Sequence, residues 1–260
     1  MAQLTDRTVI TDQYGTADRL NTRISIHEKY STNQQGFGNW ITEHYRFPDH
    51  ASVLELGCGT GSMWKGKSKI ISRCDTLILS DFSPGMLDKA KETLQNEAGI
   101  RYQVIDIQDI PCPDCAFDAV IANMMLYHVP DLDKGLSEVC RVLKEGGTFC
   151  CATYGENGMM EYIGSLFSGY GIKTMVSSAF TLQNGAEKLH PYFTDVKKDL
   201  YEDSLAVTDV EDLVGYIFSL SGMADLRNLP RDTVRNVLSQ HMVNGVLRIP
   251  KEYGMFICRK

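Results

Sequence analysis

No stretch of the chain approaches 18 uninterrupted apolar residues, and the opening MAQLTDRTVI places Asp6 and Arg7 where a secretory leader needs its apolar segment. Neither a membrane span nor a signal peptide is expected, so the chain reads as soluble and cytoplasmic. Positive charge is also scarce. Lys and Arg number 26 against 33 Asp and Glu, leaving a formal net charge of -7, whereas binding to a phosphate backbone rests on a basic face. A nucleic-acid partner is therefore not expected. Internal repeats and low-complexity tracts are missing, and nothing marks a second independent domain.

Disulfide chemistry lacks its usual context. Eight cysteines in 260 residues, without a secretory signal, read as reduced thiols, and Cys140, Cys150 and Cys151 lie in apolar surroundings that suit a core. Cys112-Pro113-Asp114-Cys115 has the spacing of half a zinc site or of a redox motif. No second CxxC, no close histidine pair and no helix-opening context accompanies it, so an ordinary loop is expected and no metal.

What is present is apolar periodicity. Hydrophobic residues make up 43% of the chain, enough for a substantial interior. Short runs rich in branched residues at 53–56, 76–80, 101–105, 117–122 and 147–153 read as buried strands. Helical spacing occupies Pro84 to Glu97 and Leu132 to Leu143, with Ser83 a plausible N-cap before Pro84, and Gly146-Gly147 a stop after Arg141 to Glu145. Alternating strands and helices predict an α/β, doubly wound, mostly parallel sheet. Two later strands, 196–207 and 253–258, would bring it to seven. Further helices are expected over 38–45, 156–168, 209–220 and 231–243, the last two forming an insertion, 208–245, between the final strands.

The strongest local signal is VLELGCGTG at 53–61, an apolar strand ending in Glu55 and running into Gly57, Cys58, Gly59 and Gly61, with a helix expected to follow. Glycines let a backbone approach a ligand without a Cβ clash. A dinucleotide fingerprint needs its third glycine three positions after the second, where this chain has Ser62. An acid two residues before the first glycine would repel a pyrophosphate but suits the ammonium and sulfonium of S-adenosylmethionine. In LILSDFSPGML, Asp81 follows the second strand, placed to accept hydrogen bonds from ribose hydroxyls. Asp106, at the end of the third strand, is a candidate for the adenine amino group, with Asp109 as competitor. Ile107, Phe82 and Met86 are candidates to cover the ring, each also an ordinary core residue type.

In order, VLELGCGTG, an acid after the second strand, DIQDIP, FDAVIANMMLYHVPD and RVLKEGGTF resemble the class I S-adenosylmethionine-dependent methyltransferases of the ubiquinone/menaquinone-biosynthesis type, over residues 50–153. The resemblance implies a Rossmann-like fold in one domain, 1–260, comprising an N-terminal helical lid (1–47), a cofactor-binding core (48–153) and the rest of the sheet with its helical cap insertion (154–260). It implies that S-adenosylmethionine is bound and S-adenosylhomocysteine released. Glu55, Gly57 and Gly59 would line the methionine portion, Asp81 the ribose, Asp106 and Ile107 the adenine, and Asn123 would face the sulfonium. Cys112 and Cys115 fall in a variable loop. The acceptor would be a small molecule, methylated on oxygen, nitrogen or carbon.

Methyl transfer is an in-line displacement, so alignment and exclusion of water are the main requirements and a base is optional. Where a base is used, His128 just beyond the fourth strand is the leading candidate, beside Tyr127, since strand carboxyl ends line the ligand crevice of such sheets. In IHEKYSTNQQGFGNW, His27, Tyr30, Phe37 and Trp40 form an aromatic and polar mix suited to a lid, Tyr30 being the candidate contact to cofactor or acceptor. Rival readings are a nucleic-acid methyltransferase, disfavoured because Asn123-Met124-Met125-Leu126 stands where amino-methylating enzymes carry Asn/Asp-Pro-Pro-aromatic; a noncatalytic binding protein that keeps the cofactor pocket; and a nicotinamide-dependent oxidoreductase, disfavoured by the glycine spacing.

Overall fold

A computed structural model describes residues 25–172 and 178–260; most of the expected lid, residues 1–24, lies outside them. Seven strands form one sheet in the order β3-β2-β1-β4-β5-β7-β6. They are β1 (Ala51–Leu56), β2 (Cys74–Asp81), β3 (Ile100–Val104), β4 (Phe117–Ile121), β5 (Leu143–Tyr154), β6 (Asp195–Val207) and β7 (Leu247–Arg259). β1 pairs in parallel with β2 and β4, β2 with β3, and β4 with β5. β7 runs the other way: the Gly146 amide reaches the Lys260 carbonyl at 3.3 Å and the Gly155 amide the Glu252 carbonyl at 2.7 Å. β1 sits where the strand order reverses, so its carboxyl end opens on the crevice that such sheets use for ligands. Among the described residues no helix is long and apolar enough to cross a membrane.

Three boundaries differ from expectation. The helix Leu132–Val142 passes directly into β5 at Leu143, so Gly146-Gly147 is not a helix stop. Gly146 instead takes φ 71° inside the strand, where the β4–β5 register shifts, as a bulge requires. β7 begins at Leu247, six residues early, because Leu247, Ile249 and Lys251 alternate inward while Pro250 faces out; a proline hid the period-2 pattern. Ser83 does occupy an N-cap position before Pro84, but its side chain makes no capping bond.

The described residues fall into two compact units, one drawn from 37–153, 179–199 and 254–260, the other from 25–36, 154–172, 178 and 200–253. In the first, Val53, Leu77, Leu79, Ala119 and Ile121 pack with Ile41, Tyr45, Trp64, Ile71 and Leu94. Burial of each large aliphatic side chain stabilises by about 1.5–3 kcal/mol. Helix Leu132–Val142 starts where Asp131 accepts the Lys134 amide at 3.0 Å and turns Leu136, Val139 and Val142 inward.

The second unit packs helices Met159–Leu166, Val210–Ser219 and Arg231–Gln240 against the inner ends of β6 and β7. Its core contains an ion pair: Lys251 donates to Asp203, with side-chain exposures of 3% and 0%. The Asp203 carboxylate also accepts from Ser31 Oγ at 2.7 Å and the Asn33 amide at 3.0 Å, which binds the segment after residue 30 to β6. His27 lies near, its ring 6.0 Å from Tyr216 and 6.2 Å from Tyr253. Its Nδ1 is buried without a hydrogen-bond partner. Burial, reinforced by the Lys251 charge, lowers its pKa from 6.5 to about 4.

Lys251→Met should cost about 3–5 kcal/mol in urea unfolding, because it leaves a buried carboxylate uncompensated, and adding Asp203→Asn should restore at least half of that. His27 is neutral when folded and takes a proton near pH 6.5 when unfolded, so its contribution is present above pH 6.5 and lost as pH falls to about 4. His27→Gln should flatten stability across that window.

Candidate functional site

The site is built at the carboxyl end of β1. Gly57, Gly59 and Gly61 all take left-handed backbone angles, with φ of 70°, 57° and 70°, which cost other residues roughly 1–2 kcal/mol each. The glycines differ in surroundings. A Cβ on Gly57 would lie 2.8 Å from Met125 Cγ, and one on Gly61 2.8 Å from Leu94 Cδ1, so both are required by packing as well; a Cβ on Gly59 would meet nothing within 4 Å. The helix expected after the loop is a 3-10 turn, Ser62–Trp64, and a short helix, Ser68–Ile71. Gly66, with φ 72°, breaks the run SMWKGKSK.

Asp81 ends β2 and holds two loops together. One carboxylate oxygen accepts the Gly59 amide at 3.0 Å and the other the Ser83 amide at 2.9 Å. It is 6% exposed, and burial raises its pKa against the opposing pull of the Ser83, Gly59 and Phe82 amides. The Cys58 amide donates to the Ser80 carbonyl at 2.8 Å, and burial pushes its thiol pKa far up, leaving it unreactive. Beside this junction Phe82 is exposed and Met86 buried.

The other expected residues make contacts within the chain. Asp106 accepts the Gln108 amide at 3.0 Å and its side-chain nitrogen at 3.1 Å. Ile107 is buried and packs toward Gly135, where a Cβ would come within 3.4 Å. Asn123, just beyond β4, donates to Tyr45 Oη at 2.8 Å and accepts the Ala152 amide at 3.2 Å. Met124 follows with φ 54°, a strained turn that sets Met125 over Gly57. Tyr127 and His128 form the next 3-10 turn, Leu126–His128, with ring centroids 4.5 Å apart. Tyr30 belongs to the other unit, where its hydroxyl donates to Asp212 at 2.6 Å.

Two residues escaped the sequence reading. Trp64 donates its indole N–H to Glu55 Oε2 at 2.5 Å, and Tyr45 supports Asn123. Neither has a motif; the only signal was a tryptophan three residues past Gly61. The Cys112–Cys115 loop is tied down by Arg141, which donates to the Cys112 and Ile110 carbonyls at 2.8 and 2.9 Å and to Asp114 at 2.7 Å.

A sheet with this strand order, a triple-glycine turn after β1 and a buried acid closing it at the end of β2 define the Rossmann-like fold of class I methyltransferases. Residues 54–151 match the family described as Methyltransferase domain, and the chain is an S-adenosylmethionine-dependent methyltransferase. It is similar to the ubiquinone/menaquinone biosynthesis C-methyltransferase UbiE of Francisella tularensis, 26% identical over 181 residues, covering 65% of this chain and 72% of that one. In fold it is similar to a methyltransferase of Bacillus halodurans, with TM-score 0.62, 14% identity, and coverage of 86% and 98%. It is likewise similar to phosphoethanolamine N-methyltransferase 2 of Haemonchus contortus in complex with S-adenosyl-L-methionine, with TM-score 0.62, 16% identity, and coverage of 100% and 60%. S-adenosylmethionine is the cofactor, and the residues present fit it: open space over Gly59 beside a buried carboxylate admits a polar, cationic ligand close to backbone.

Gly57→Ala should lower stability by about 2–3 kcal/mol, adding the Met125 clash to the backbone cost, whereas Gly59→Ala should cost only about 1 kcal/mol. Equal losses in denaturant titrations would contradict the difference in surroundings.

Proposed function

We propose that the chain methylates a small-molecule acceptor by in-line displacement. The observation that carries this reading is the Gly59–Asp81 junction, which presents backbone and carboxylate together at the strand-order reversal. When bound, the sulfonium supplies an electrophilic methyl group; the chain's own residues bind, orient and exclude water. Glu55, Gly57, Cys58, Gly59 and Gly61 would bound the methionine portion. Asp81 would accept a ribose hydroxyl with the acceptor capacity its backbone amides leave. Phe82, Met86, Asp106 and Ile107 would surround the adenine, with Ile107 acting from behind through packing. Asn123 would define the sulfonium wall.

On the acceptor side, His128 is the candidate proton acceptor where the nucleophile is a hydroxyl or an acidic carbon, with Tyr127 orienting it. A net charge of -7 favours a small acceptor over a nucleic acid. The relatives' names include both carbon and nitrogen methylation, so the acceptor atom is left open among oxygen, nitrogen and carbon.

Calorimetric titration with S-adenosylmethionine, S-adenosylhomocysteine and NAD should give micromolar binding of the first two alone; binding of NAD in their place would sink the proposal. Asp81→Ala should weaken both by about a hundredfold, the worth of one or two charge-assisted hydrogen bonds, in a chain that still unfolds cooperatively.

A further inference from the structure

Behind the glycine loop lies a closed circuit of four buried side chains from separate parts of the chain. Glu55, the penultimate residue of β1, is 2% exposed. Its carboxylate takes the Trp64 indole N–H at 2.5 Å and a second hydrogen bond from Asn123. The Asn123 amide also donates to Tyr45 Oη at 2.8 Å, and the Tyr45 and Trp64 rings stack with centroids 6.0 Å apart. The donors are thus spent on a carboxyl group that has no cation partner among the groups acting on it, which are Trp64, Asn123 and the Asp81 carboxylate. The Cys58 thiol and the Tyr45 phenol both feel the Glu55 charge. Two acids, Glu55 and Asp81, therefore flank one loop of backbone.

We propose that Trp64 and Tyr45 are positioning residues for methyl-donor binding: with Asn123 they fix Glu55 as a carboxylate beneath the glycine loop, so that the loop favours a cationic sulfonium ligand over its neutral thioether product. This rests on the assignment of that loop to the methyl donor. The cost is set by burial, which pushes Glu55 up to about 7, while Trp64 and Asn123 hold it down. A hydrogen-bond donor to a carboxylate stabilises the ionised form. At neutral pH part of the population carries the acid. A cation arriving beside it drives that proton into the buffer, and a neutral sulfur does so less.

The circuit is testable first without ligand. The chain has two tryptophans, so two indole N–H signals are expected in a 1H–15N spectrum. The Trp64 signal should titrate with a midpoint near 7, and Glu55→Gln should abolish the titration. Affinities for S-adenosylmethionine and S-adenosylhomocysteine are then measured from about pH 6 to about pH 8. In the wild type, the sulfonium ligand should bind up to about tenfold more tightly over that range and the thioether no more than about twofold. Trp64→Phe keeps the ring but removes the donor, so the profile's midpoint should move upward and sulfonium affinity at neutral pH should fall about tenfold. Tyr45→Phe should shift it in the same direction by less, and Glu55→Gln should erase the pH dependence and the preference together.

Equal weakening of both ligands by Trp64→Phe, with an unchanged pH profile, would reduce Trp64 to a packing residue and overturn the proposal, as would an indole signal that does not titrate. If the wild type binds neither ligand while its indole signal titrates, the fault lies with the loop assignment, and the proposal falls with it.

Discussion

The Asp81 carboxylate is the constraint on which the site depends. A parallel sheet delivers its strand ends to one edge, but it does not by itself hold the loops leaving them in a fixed relation. Here one buried carboxylate accepts an amide from the turn after β1 and another from the turn after β2. Each loop is thereby referenced to the other through two short bonds, and the left-handed glycines can keep an open approach without wandering. Those amides offset part of the desolvation cost, although burial still holds the carboxyl above its ordinary range.

Much of this was legible along the chain because it is local. Strand runs such as VLEL and FDAVI, the glycine spacing and the acid after β2 each depend on a few consecutive residues, and the sheet's parallel half follows from their alternation with helices. Legibility ended where backbone geometry outranked composition. Gly146-Gly147 looks like a helix stop but serves as a bulge, because the helix had already given way at Leu143. Pro250 looks like a strand breaker but faces outward on β7. Ser83 stands at a cap position without making a capping bond.

The side-chain partnerships were the least legible part. Trp64 and Glu55 are nine residues apart, yet Asn123 and Tyr45 are separated by 78. Lys251 and Ser31 are separated by 220. No periodicity or motif encodes such pairs; they exist because polar groups carried into a core must find partners wherever the topology brings them. His27 shows the converse, a buried nitrogen that the fold leaves unpaired.

The loop bearing Cys112 and Cys115 has a practical side. Of the eight thiols, Cys115 alone is exposed, on a left-handed residue with φ 52°, in a loop whose carbonyls are gripped by the Arg141 guanidinium. A thiol-directed fluorophore applied under native conditions would therefore attach there first, on backbone that is itself anchored. Its anisotropy would report the tumbling of the folded chain and not the flicker of a loose segment.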